Sequence, residues 1–431
     1  MSKTSKPELL APAGGPDQLE TAIRFGADAV YLACDQFGMR ARAQNFKLED
    51  MPQVVARCHA AGVKVHVTIN ILMNDDDIAA LPAFMAALDR TGVDAFIIGD
   101  LGAFAIAREH APHVELHVST QASVMNAAAA QQWYQLGARR IVCAREMSVD
   151  AIRRLHEQIP DDLELECFVH GAMCMAYSGR CLLSSVMTGR TANRGACAQS
   201  CRWSYALVEE QRPGEYFPVE EDVRGSYVMN AQDLNMIRHL DELAAAGVDS
   251  FKIEGRNKRA FYVATVVRAY RQALDGGDVD AAEAELNTIS HRPYSTGFYY
   301  GRATQSPERD GYVKEYLHTV TVMACEPAGE EEAKPAWHVF VRCCNRFFEG
   351  DELEVLSPGP AIKHVVARDI CRLAPTDGGL PFVERGLPFE QVRSQSMLVA
   401  EPVANRASEY YRITLPCKLE PGDYLRRRID R

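Results

Sequence analysis

Four cysteines and four arginines share one short segment of the chain, between residues 174 and 202. The cysteines follow the spacing C-x6-C-x15-C-x3-C, and no Asp or Glu lies anywhere among them. Thiolates bind soft metals and iron-sulfur clusters, and neighbouring positive charge stabilises the thiolate form. The segment therefore predicts a metal or cluster site surrounded by positive charge. Its eight candidate residues are Cys174, Cys181, Cys197, Cys201, Arg180, Arg190, Arg194 and Arg202.

The cysteine spacing favours an iron-sulfur cluster over zinc. Structural zinc is usually held by two short C-x2-C turns, whereas only one close pair, Cys197 and Cys201, is present here. An iron-sulfur cluster accepts ligands from separated loops. A structural zinc and inert thiols remain the alternatives. The total of 13 cysteines is odd and no secretion signal is visible, so a disulfide scaffold is not expected.

The arginines of this segment predict an anion-binding site. A soluble acidic protein normally intersperses charges of both signs, and here four arginines stand without an acid. We expect them to hold a polyanionic substrate, together with Arg256 further along the chain. The alternative is that each is an ordinary solvated surface residue.

A second group of candidates lies on two predicted strands. Lys252 and Glu254 alternate along one strand and so share a side of it, as Glu164 and Glu166 do on another. His170 ends that other strand, just before the cysteines. We predict catalytic roles for Glu166, His170, Lys252 and Glu254. The alternatives are a buried structural ion pair and a packed, hydrogen-bonded histidine.

The elements that carry these residues repeat along the first 255 residues. A helical stretch ends at a glycine, and a short apolar run follows, as expected for a strand buried in a parallel sheet. Eight such runs alternating with helices predict a (β/α)8 TIM-like barrel, with a doubly wound open sheet as the alternative. The runs are residues 9–13, 29–34, 63–69, 95–98, 116–119, 141–144, 165–169 and 250–253.

The barrel places the cysteine segment directly after its seventh strand, over the catalytic mouth. We predict a barrel domain over residues 1–275 with a cysteine-rich insertion at 172–225, and a linker segment at 276–311. From residue 312 to 431 short strands and turns predict a small all-β barrel domain. An acidic hairpin tip is expected at residues 330–332.

Composition and charge restrict which partners and enzyme classes the sequence fits. The chain has 431 residues, 47% of them hydrophobic, and a formal net charge of -11, which opposes non-specific adhesion to nucleic acid or anionic membranes. An RNA partner would have to meet a local basic patch. No run of 18 apolar residues and no signal peptide is visible, so we expect a cytoplasmic protein without a membrane partner. Motifs of zinc proteases, serine hydrolases, phosphate loops and dinucleotide-binding folds are also missing from the sequence.

Several long motifs resemble those of the collagenase-like peptidases, family thirty-two among peptidases of unassigned type. Residues 166–184 read ECFVHGAMCMAYSGRCLLS, which resembles the family signature. Residues 7–14 (PELLAPAG) and 26–31 (GADAVY) resemble its first and second strands, and residues 251–256 (FKIEGR) resemble its Lys-Ile-Glu-Gly-Arg element. Arg346 and residues 350–355 (GDELEV) resemble its C-terminal β domain. The resemblance covers nearly the whole chain.

This resemblance implies oxygen-independent hydroxylation with an iron-sulfur cluster. Members of the family hydroxylate the wobble uridine of tRNA, a cytidine of ribosomal RNA, or the ubiquinone ring. In length and C-terminal domain the chain is most similar to the members that form 5-hydroxyuridine in tRNA, with prephenate, a small dicarboxylate, as the implied oxygen donor. The alternatives are a peptidase, as the family name says, an rRNA hydroxylase, and a non-catalytic RNA-binding protein with structural zinc.

The resemblance carries Cys174, Cys181 and Cys197 over as cluster ligands. For the fourth ligand it leaves two choices, Cys201 and Cys34, since some relatives use a cysteine near the end of the second strand. A cluster held by only three thiolates would leave one iron open to substrate.

Overall fold

A computed structural model describes most of the chain. The described residues are 6–39, 43–174, 181–203, 206–207, 217–218, 232–301, 303, 313–329 and 336–429. They form two compact units, one containing the residues up to 283 together with 291–313, and the other containing 284–290 and the residues from 314 onward. Arg180 and the acidic stretch 330–332 lie outside the described residues.

The first unit is built around a closed parallel barrel. Each of the strands β1 to β7 pairs in parallel with the next, and β11 pairs in parallel with both β7 and β1. The sheet therefore closes on itself, which confirms the predicted (β/α)8 barrel and excludes the open doubly wound sheet. The strands are β1 (Glu8–Pro12), β2 (Ala29–Leu32), β3 (Lys64–Ile69), β4 (Ala95–Ile98), β5 (Glu115–Val118), β6 (Arg140–Val142), β7 (Glu164–Ala172), β8 (Ala206–Leu207), β9 (Phe217–Pro218), β10 (Asp233–Asn235), β11 (Ser250–Ile253) and β12 (Tyr294–Ser295).

Helices connect the barrel strands. Several begin at a side-chain cap that satisfies free backbone N–H groups, among them Asn74, Asp100, Asn126 and Ser148. Gly247 precedes β11 with φ +95°, and a Cβ there would lie 2.2 Å from the His156 ring, so only glycine fits. The helices are α1 (Pro16–Arg24), α2 (Met51–Ala60), α3 (Asp75–Asp89), α4 (Leu101–His110), α5 (Ala127–Gln135), α6 (Val149–His156), α7 (Leu183–Thr188), α8 (Leu240–Ala245), α9 (Ala260–Leu274) and α10 (Val279–Leu286).

The connection from β7 to β11 is much longer than the others. It contains α7, the paired strands β8 and β9, and then β10, which runs antiparallel to the end of β7. β12 pairs with β10 and extends the barrel sheet from a part of the chain predicted as a linker. The cysteines belong to the first part of this connection, at the carboxyl end of β7.

The second unit is an antiparallel β domain, which confirms the all-β prediction. Its main sheet has the order β17-β16-β22-β13-β14-β21-β18-β19 and packs over a core that includes Val339, Phe347 and Tyr411. The elements are β13 (Tyr316–Pro327), β14 (Trp337–Cys343), β15 (Phe347–Phe348), β16 (Glu352–Leu356), β17 (Lys363–Val366), β18 (Arg368–Pro375), α11 (Phe382–Arg385), α12 (Phe389–Ser394), β19 (Ser396–Ala400), β20 (Val403–Ala404), β21 (Tyr410–Leu415) and β22 (Tyr424–Arg428).

Among the described helices, none combines the length and the apolar character that a bilayer-spanning helix requires.

Candidate functional site

A pocket opens at the carboxyl ends of the barrel strands. Side chains from seven of the eight strands, or from the residues that follow them, line it together with Met39, and three of the lining residues are cationic. In barrels of this type the carboxyl end is where binding and catalysis occur. The lining residues are Tyr31, Met39, Thr68, Asn70, Ile97, Ser119, Thr120, Gln121, Val142, Arg145, Phe168, Lys252, Glu254 and Arg256.

Lys252 forms part of the pocket wall and is held from below by Glu166. Its Nζ donates to Glu166 Oε1 at 2.6 Å and lies 4.5 Å from the centre of the Tyr31 ring. Burial lowers the pKa of Lys252, and the Glu166 carboxylate offsets this only in part. Burial alone would raise the pKa of Glu166, but the charges of Lys252 and Arg140 outweigh it and lower that pKa. The two side chains thus form a buried ion pair beneath the pocket.

Arg140 continues this network toward the amino end of the barrel. Its guanidinium contacts three carboxylates, at 2.6 Å from Glu8, 2.7 Å from Glu164 and 3.1 Å from Glu166. Glu164 and Glu166 therefore face the same side of β7. Burial would raise the pKa of Glu8, yet the charge of Arg140 lowers it to about 2. A barrel interior usually holds Val, Ile and Leu. Here a chain of ion pairs lies beneath the pocket.

Two histidines lie beside Glu166 in the same interior. The rings of His66 and His117 are 4.9 Å apart at their centres, and burial lowers the pKa of His66 to about 3. Together with Glu166 they are the one set of three possible metal ligands, among the described residues, whose donor atoms lie within 4.8 Å of one another. Both Glu166 oxygens already accept from cations, Lys252 and Arg140. A metal cation there would be repelled by two buried positive charges, so this set does not form a favourable metal site.

Arg145 and Glu254 form a second ion pair at the pocket. Arg145 donates to Glu254 at 3.2 Å and to the carbonyl oxygen of Ala172 at 2.8 Å. Its guanidinium also stacks 3.7 Å from the centre of the Phe168 ring. These contacts fix the planar guanidinium against the pocket wall. Its buried Nε makes no hydrogen bond with the described residues.

Arg256 completes the cationic lining. It is 3% exposed and donates to the Thr68 hydroxyl and to the carbonyl oxygen of Met39. Lys252, Arg145 and Arg256 thus bring three positive charges to a pocket whose lining contains one carboxylate, Glu254. Such a pocket is suited to carboxylate or phosphate groups.

His170 lies in a different environment from the pocket. It is 1% exposed and is surrounded by the rings of Tyr262, Tyr270 and Tyr294, at 5.4 to 6.1 Å between centres. Burial lowers its pKa to about 3, so the ring is neutral. His170 does not belong to the pocket lining. Its place between β7 and α9 is that of a packed histidine.

The cysteine segment from 181 to 203 is held together by its own hydrogen bonds. The buried Ser184 hydroxyl donates to the Arg190 carbonyl oxygen at 2.8 Å and accepts from the Ala198 N–H at 2.9 Å. Arg190 donates to the carbonyl oxygen of Cys197 at 3.2 Å. Cys174 and Cys197 are exposed, and Cys181 and Cys201 are partly exposed.

These four thiols fit an iron-sulfur cluster by donor type and by accessibility. All 13 cysteines are described, and none of them forms a disulfide. The four sulfurs do not gather within 4.8 Å of one another, so they form no ready-made tetrahedral zinc site. The other candidate ligand, Cys34, is buried, and burial raises its pKa to about 12. Cys201 is therefore the more accessible fourth thiol.

The arginines predicted to bind an anion separate into two groups. Arg256 lies in the pocket, whereas Arg190 and Arg194 make contacts outside it, with Cys197 and with Asp77. For Arg202 the structure describes the backbone only. Sequence reasoning did not select Arg140, Glu8 or the two interior histidines. The sequence pattern that could have identified them is a charged or polar residue at an inward-facing position of a short, otherwise apolar strand.

Comparison with known proteins shows that residues 14–309 match Peptidase family U32. The chain is 34% identical over 400 residues to "tRNA hydroxylation protein P" of Escherichia coli, covering 82% of this chain and 86% of that protein. It is 37% identical over 313 residues to the "Collagenase" of Porphyromonas gingivalis, covering 68% and 74%. It is also 40% identical over 268 residues to the "23S rRNA 5-hydroxycytidine C2501 synthase" of Escherichia coli, covering 62% of this chain and 39% of that protein.

Proposed function

The chain belongs to peptidase family U32, and from this membership and the geometry of the barrel mouth we propose that it is an RNA-hydroxylating enzyme. Its proposed reaction is the oxygen-independent formation of 5-hydroxyuridine at the tRNA wobble position, with prephenate as oxygen donor. Relatives named for hydroxylation of tRNA and of ribosomal RNA support this assignment. One structural observation carries it: the cation-lined pocket and the accessible thiols lie at the same end of the barrel.

In this proposal the pocket binds the small dicarboxylate. Arg145 and Arg256 present guanidinium groups on the pocket wall, and Lys252 adds an ammonium. Guanidinium groups bind carboxylates with two parallel hydrogen bonds, which orients as well as holds them. The target base must leave its stack to reach such a pocket, as in other enzymes that modify bases. Partly exposed Arg190 supports the RNA backbone at the mouth.

Cys174, Cys181, Cys197 and Cys201 would hold the cluster, which when bound supplies one-electron redox chemistry. The chain's own groups do the rest of the work. Lys252 offers hydrogen-bond donors at the pocket wall, and the Glu166 carboxylate balances its charge. Glu254 fixes the orientation of Arg145, and His170 acts by positioning β7 rather than by touching the substrate.

The proposal is tested in a deletion strain by mass spectrometry of nucleosides from purified tRNA. We expect wobble 5-hydroxyuridine to disappear and to return when the wild-type gene is supplied, but not when Arg145→Met is supplied. The control is Arg154→Met, an exposed arginine on α6. Unchanged 5-hydroxyuridine in the deletion strain would refute the tRNA assignment, and loss of a ribosomal 5-hydroxycytidine instead would indicate the rRNA substrate.

The cluster is tested separately by metal analysis of anaerobically purified protein. We expect iron with matching sulfide in the wild type, and its loss in Cys197→Ser but not in Cys417→Ser, which changes a thiol of the second unit. A single zinc in place of iron would favour the non-catalytic RNA-binding alternative.

A peptidase is the second candidate, because one relative carries the name "Collagenase". The pocket offers hydroxyl groups at Thr68, Ser119 and Thr120, but its described lining contains neither a histidine nor a cysteine to activate or replace them. Ser119 donates to the Gln121 side chain at 2.9 Å instead. Gelatin digestion by purified protein that is abolished by Ser119→Ala would support this candidate.

A further inference from the structure

The cysteine segment is attached to the side of the barrel opposite the strand it leaves. The chain enters the segment from the carboxyl end of β7. In the closed order of the barrel, β3 is four strands away from β7 in either direction. The segment nevertheless contacts the residues that follow β3. The described part of the segment, residues 181–203, therefore reaches the β3 side of the barrel, although the chain leaves the barrel at β7.

Two hydrogen bonds to the backbone of Leu72 join the segment to this far side. The N–H of Leu72 donates to the carbonyl oxygen of Asn193 at 3.1 Å. Arg194 donates in return to the carbonyl oxygen of Leu72 at 2.9 Å. Both bonds involve backbone groups after β3, so they fix where the segment lands but do not depend on the identity of Leu72.

Asp77 supplies the charged part of the attachment. Its two carboxylate oxygens accept from the two terminal nitrogens of Arg194, at 2.7 and 3.1 Å. The same carboxylate accepts from the N–H of Asn74 at 2.9 Å, in a capping box that begins α3. Its side chain is 15% exposed. A carboxylate held at the start of a helix is already oriented before Arg194 arrives, so little side-chain freedom is lost in forming the pair.

We propose that Asp77 is a positioning residue, which through Arg194 holds the cysteine segment at the β3 side of the barrel. The proposal rests on the function proposed above, because the segment is taken to carry the cluster. It assigns Arg194 to this attachment rather than to substrate binding. Cys197 follows Arg194 by three residues, so along the chain it lies within roughly 11 Å of the attachment. Cys197 is therefore the cysteine nearest to the attachment along the chain, and its sulfur, which accepts from the Gln199 N–H at 3.3 Å, is the one that we expect release of Arg194 to affect most.

The attachment is tested by the rate of thiol alkylation in iron-free protein. In Asp77→Asn the asparagine still accepts the Asn74 bond but loses the charge that holds Arg194. We expect Cys197 to react with iodoacetamide roughly two- to fivefold faster than in the wild type, as measured by peptide mass spectrometry. The matched control is Asp76→Asn, an equal change of charge at the neighbouring exposed position. Equal rates at Cys197 in Asp77→Asn and the wild type would overturn the proposal.

Arg194 variants check that the effect passes through this pair. Arg194→Gln should accelerate alkylation of Cys197 at least as much as Asp77→Asn, because it also removes the bond to the Leu72 carbonyl oxygen, and the double variant should not exceed Arg194→Gln. Arg194→Lys keeps the positive charge but loses the two parallel hydrogen bonds of the guanidinium. Its rate of Cys197 alkylation should lie between those of the wild type and Arg194→Gln. Additive effects of the two single changes would contradict the pairing.

The link to the reaction is tested in the complemented deletion strain. We expect Asp77→Asn protein to retain its iron but to restore less tRNA hydroxylation than Asp76→Asn. Full restoration would show that the attachment does not serve the reaction. If instead the deletion itself leaves tRNA unchanged, the proposed function fails while the alkylation result still decides the attachment.

Discussion

At the scale of single residues, Glu166 joins the buried positive charges of the barrel interior. Its side chain is fully buried, and each of its oxygens accepts from a different cation, Lys252 or Arg140. The sequence shows a lysine and an acid on separate strands, and nothing in it states that they meet. The network exists because β6, β7 and β11 place inward side chains at successive heights, where Arg140, Glu166 and Lys252 come within reach of one another.

Removing the Glu166 charge leaves Lys252 and Arg140 partly uncompensated in a buried environment. We expect Glu166→Gln to lower the free energy of unfolding by about 3–5 kcal/mol, measured by urea denaturation at pH 7. The matched control is Glu157→Gln, an equal change on an exposed side chain of the same unit. A loss of less than about 1 kcal/mol would mean that solvent screens the network.

His66 makes the free energy of unfolding depend on pH. Burial lowers its pKa to about 3, below the unfolded value of 6.5, so below pH 6.5 the unfolded chain binds a proton that the folded chain does not. Stability should therefore fall as the pH drops from 6.5 toward 3. Between pH 6.5 and pH 4 the contribution is on the order of 3 kcal/mol.

The measurement is the urea midpoint of the wild type and of His66→Asn at several pH values. We expect the wild type to lose more stability over this range than the variant. Glu8, with a pKa of about 2, adds a loss of the same sign below pH 4.5 in both proteins. Parallel curves for the two proteins above pH 4.5 would exclude His66 as the source.

At the scale of elements, the start of α3 both ends a barrel connection and holds the cysteine segment. Asn74 accepts from the N–H of Asp77, and Asp77 accepts from the N–H of Asn74. The cap therefore orients the carboxylate that binds Arg194. The same capping box thus starts α3 and also orients a carboxylate that binds a residue distant in sequence.

Two cap variants compare what the cap of α3 contributes to stability and what it contributes to holding Arg194. Asn74→Ala keeps the N–H that Asp77 accepts from but removes the side-chain cap. We expect it to lower the free energy of unfolding by about 1 kcal/mol and, by loosening the first turn of α3, to accelerate alkylation of Cys197 less than Asp77→Asn does. Ser148→Ala removes the cap of α6, whose hydroxyl accepts from the N–H of Ala151. It should cost a similar free energy but leave the thiol unchanged. Equal alkylation in both variants would show that the cap of α3 serves only its own helix.

At the scale of the whole molecule, the second unit includes a short part of the chain that precedes it. Residues 284–290 belong to this unit, although 291–313 return to the first. Glu285 is 6% exposed and pairs with the buried Arg426 of β22, which also contacts Glu354 at 2.9 Å. An ion pair thus anchors residues 284–290 to the β domain.

We expect Glu285→Gln to weaken the second unit by about 3 kcal/mol, because Arg426 stays buried with a single carboxylate. Hydrogen exchange followed by mass spectrometry should show faster exchange in peptides from 314–431 and unchanged exchange in the barrel strands. The control is Glu390→Gln, an exposed acid of the same unit. Equal acceleration in both units would show that they do not unfold separately.

Local patterns in the sequence were sufficient to predict much of the fold and the family. Short apolar runs, five of them preceded by a glycine, predicted the eight barrel strands, and the alternation of Lys252 with Glu254 predicted that both lie on one side of the last of these runs. Turn residues predicted the β domain, and the signature around Cys174 indicated the family. Each of these signals depends on neighbours within a few residues, which is the range over which propensity and periodicity act.

Partners distant in sequence were decided only by the tertiary structure. Glu166 meets Lys252 across 86 residues, and Asp77 meets Arg194 across 117. The acid-free segment around Arg194 reads as unpaired positive charge, yet its acid comes from another part of the barrel. Which inward side chains meet depends on the closure and register of the strands, because these set their relative height. Residue types and spacing determined what chemistry the chain can hold, and barrel closure determined which groups stand together to perform it.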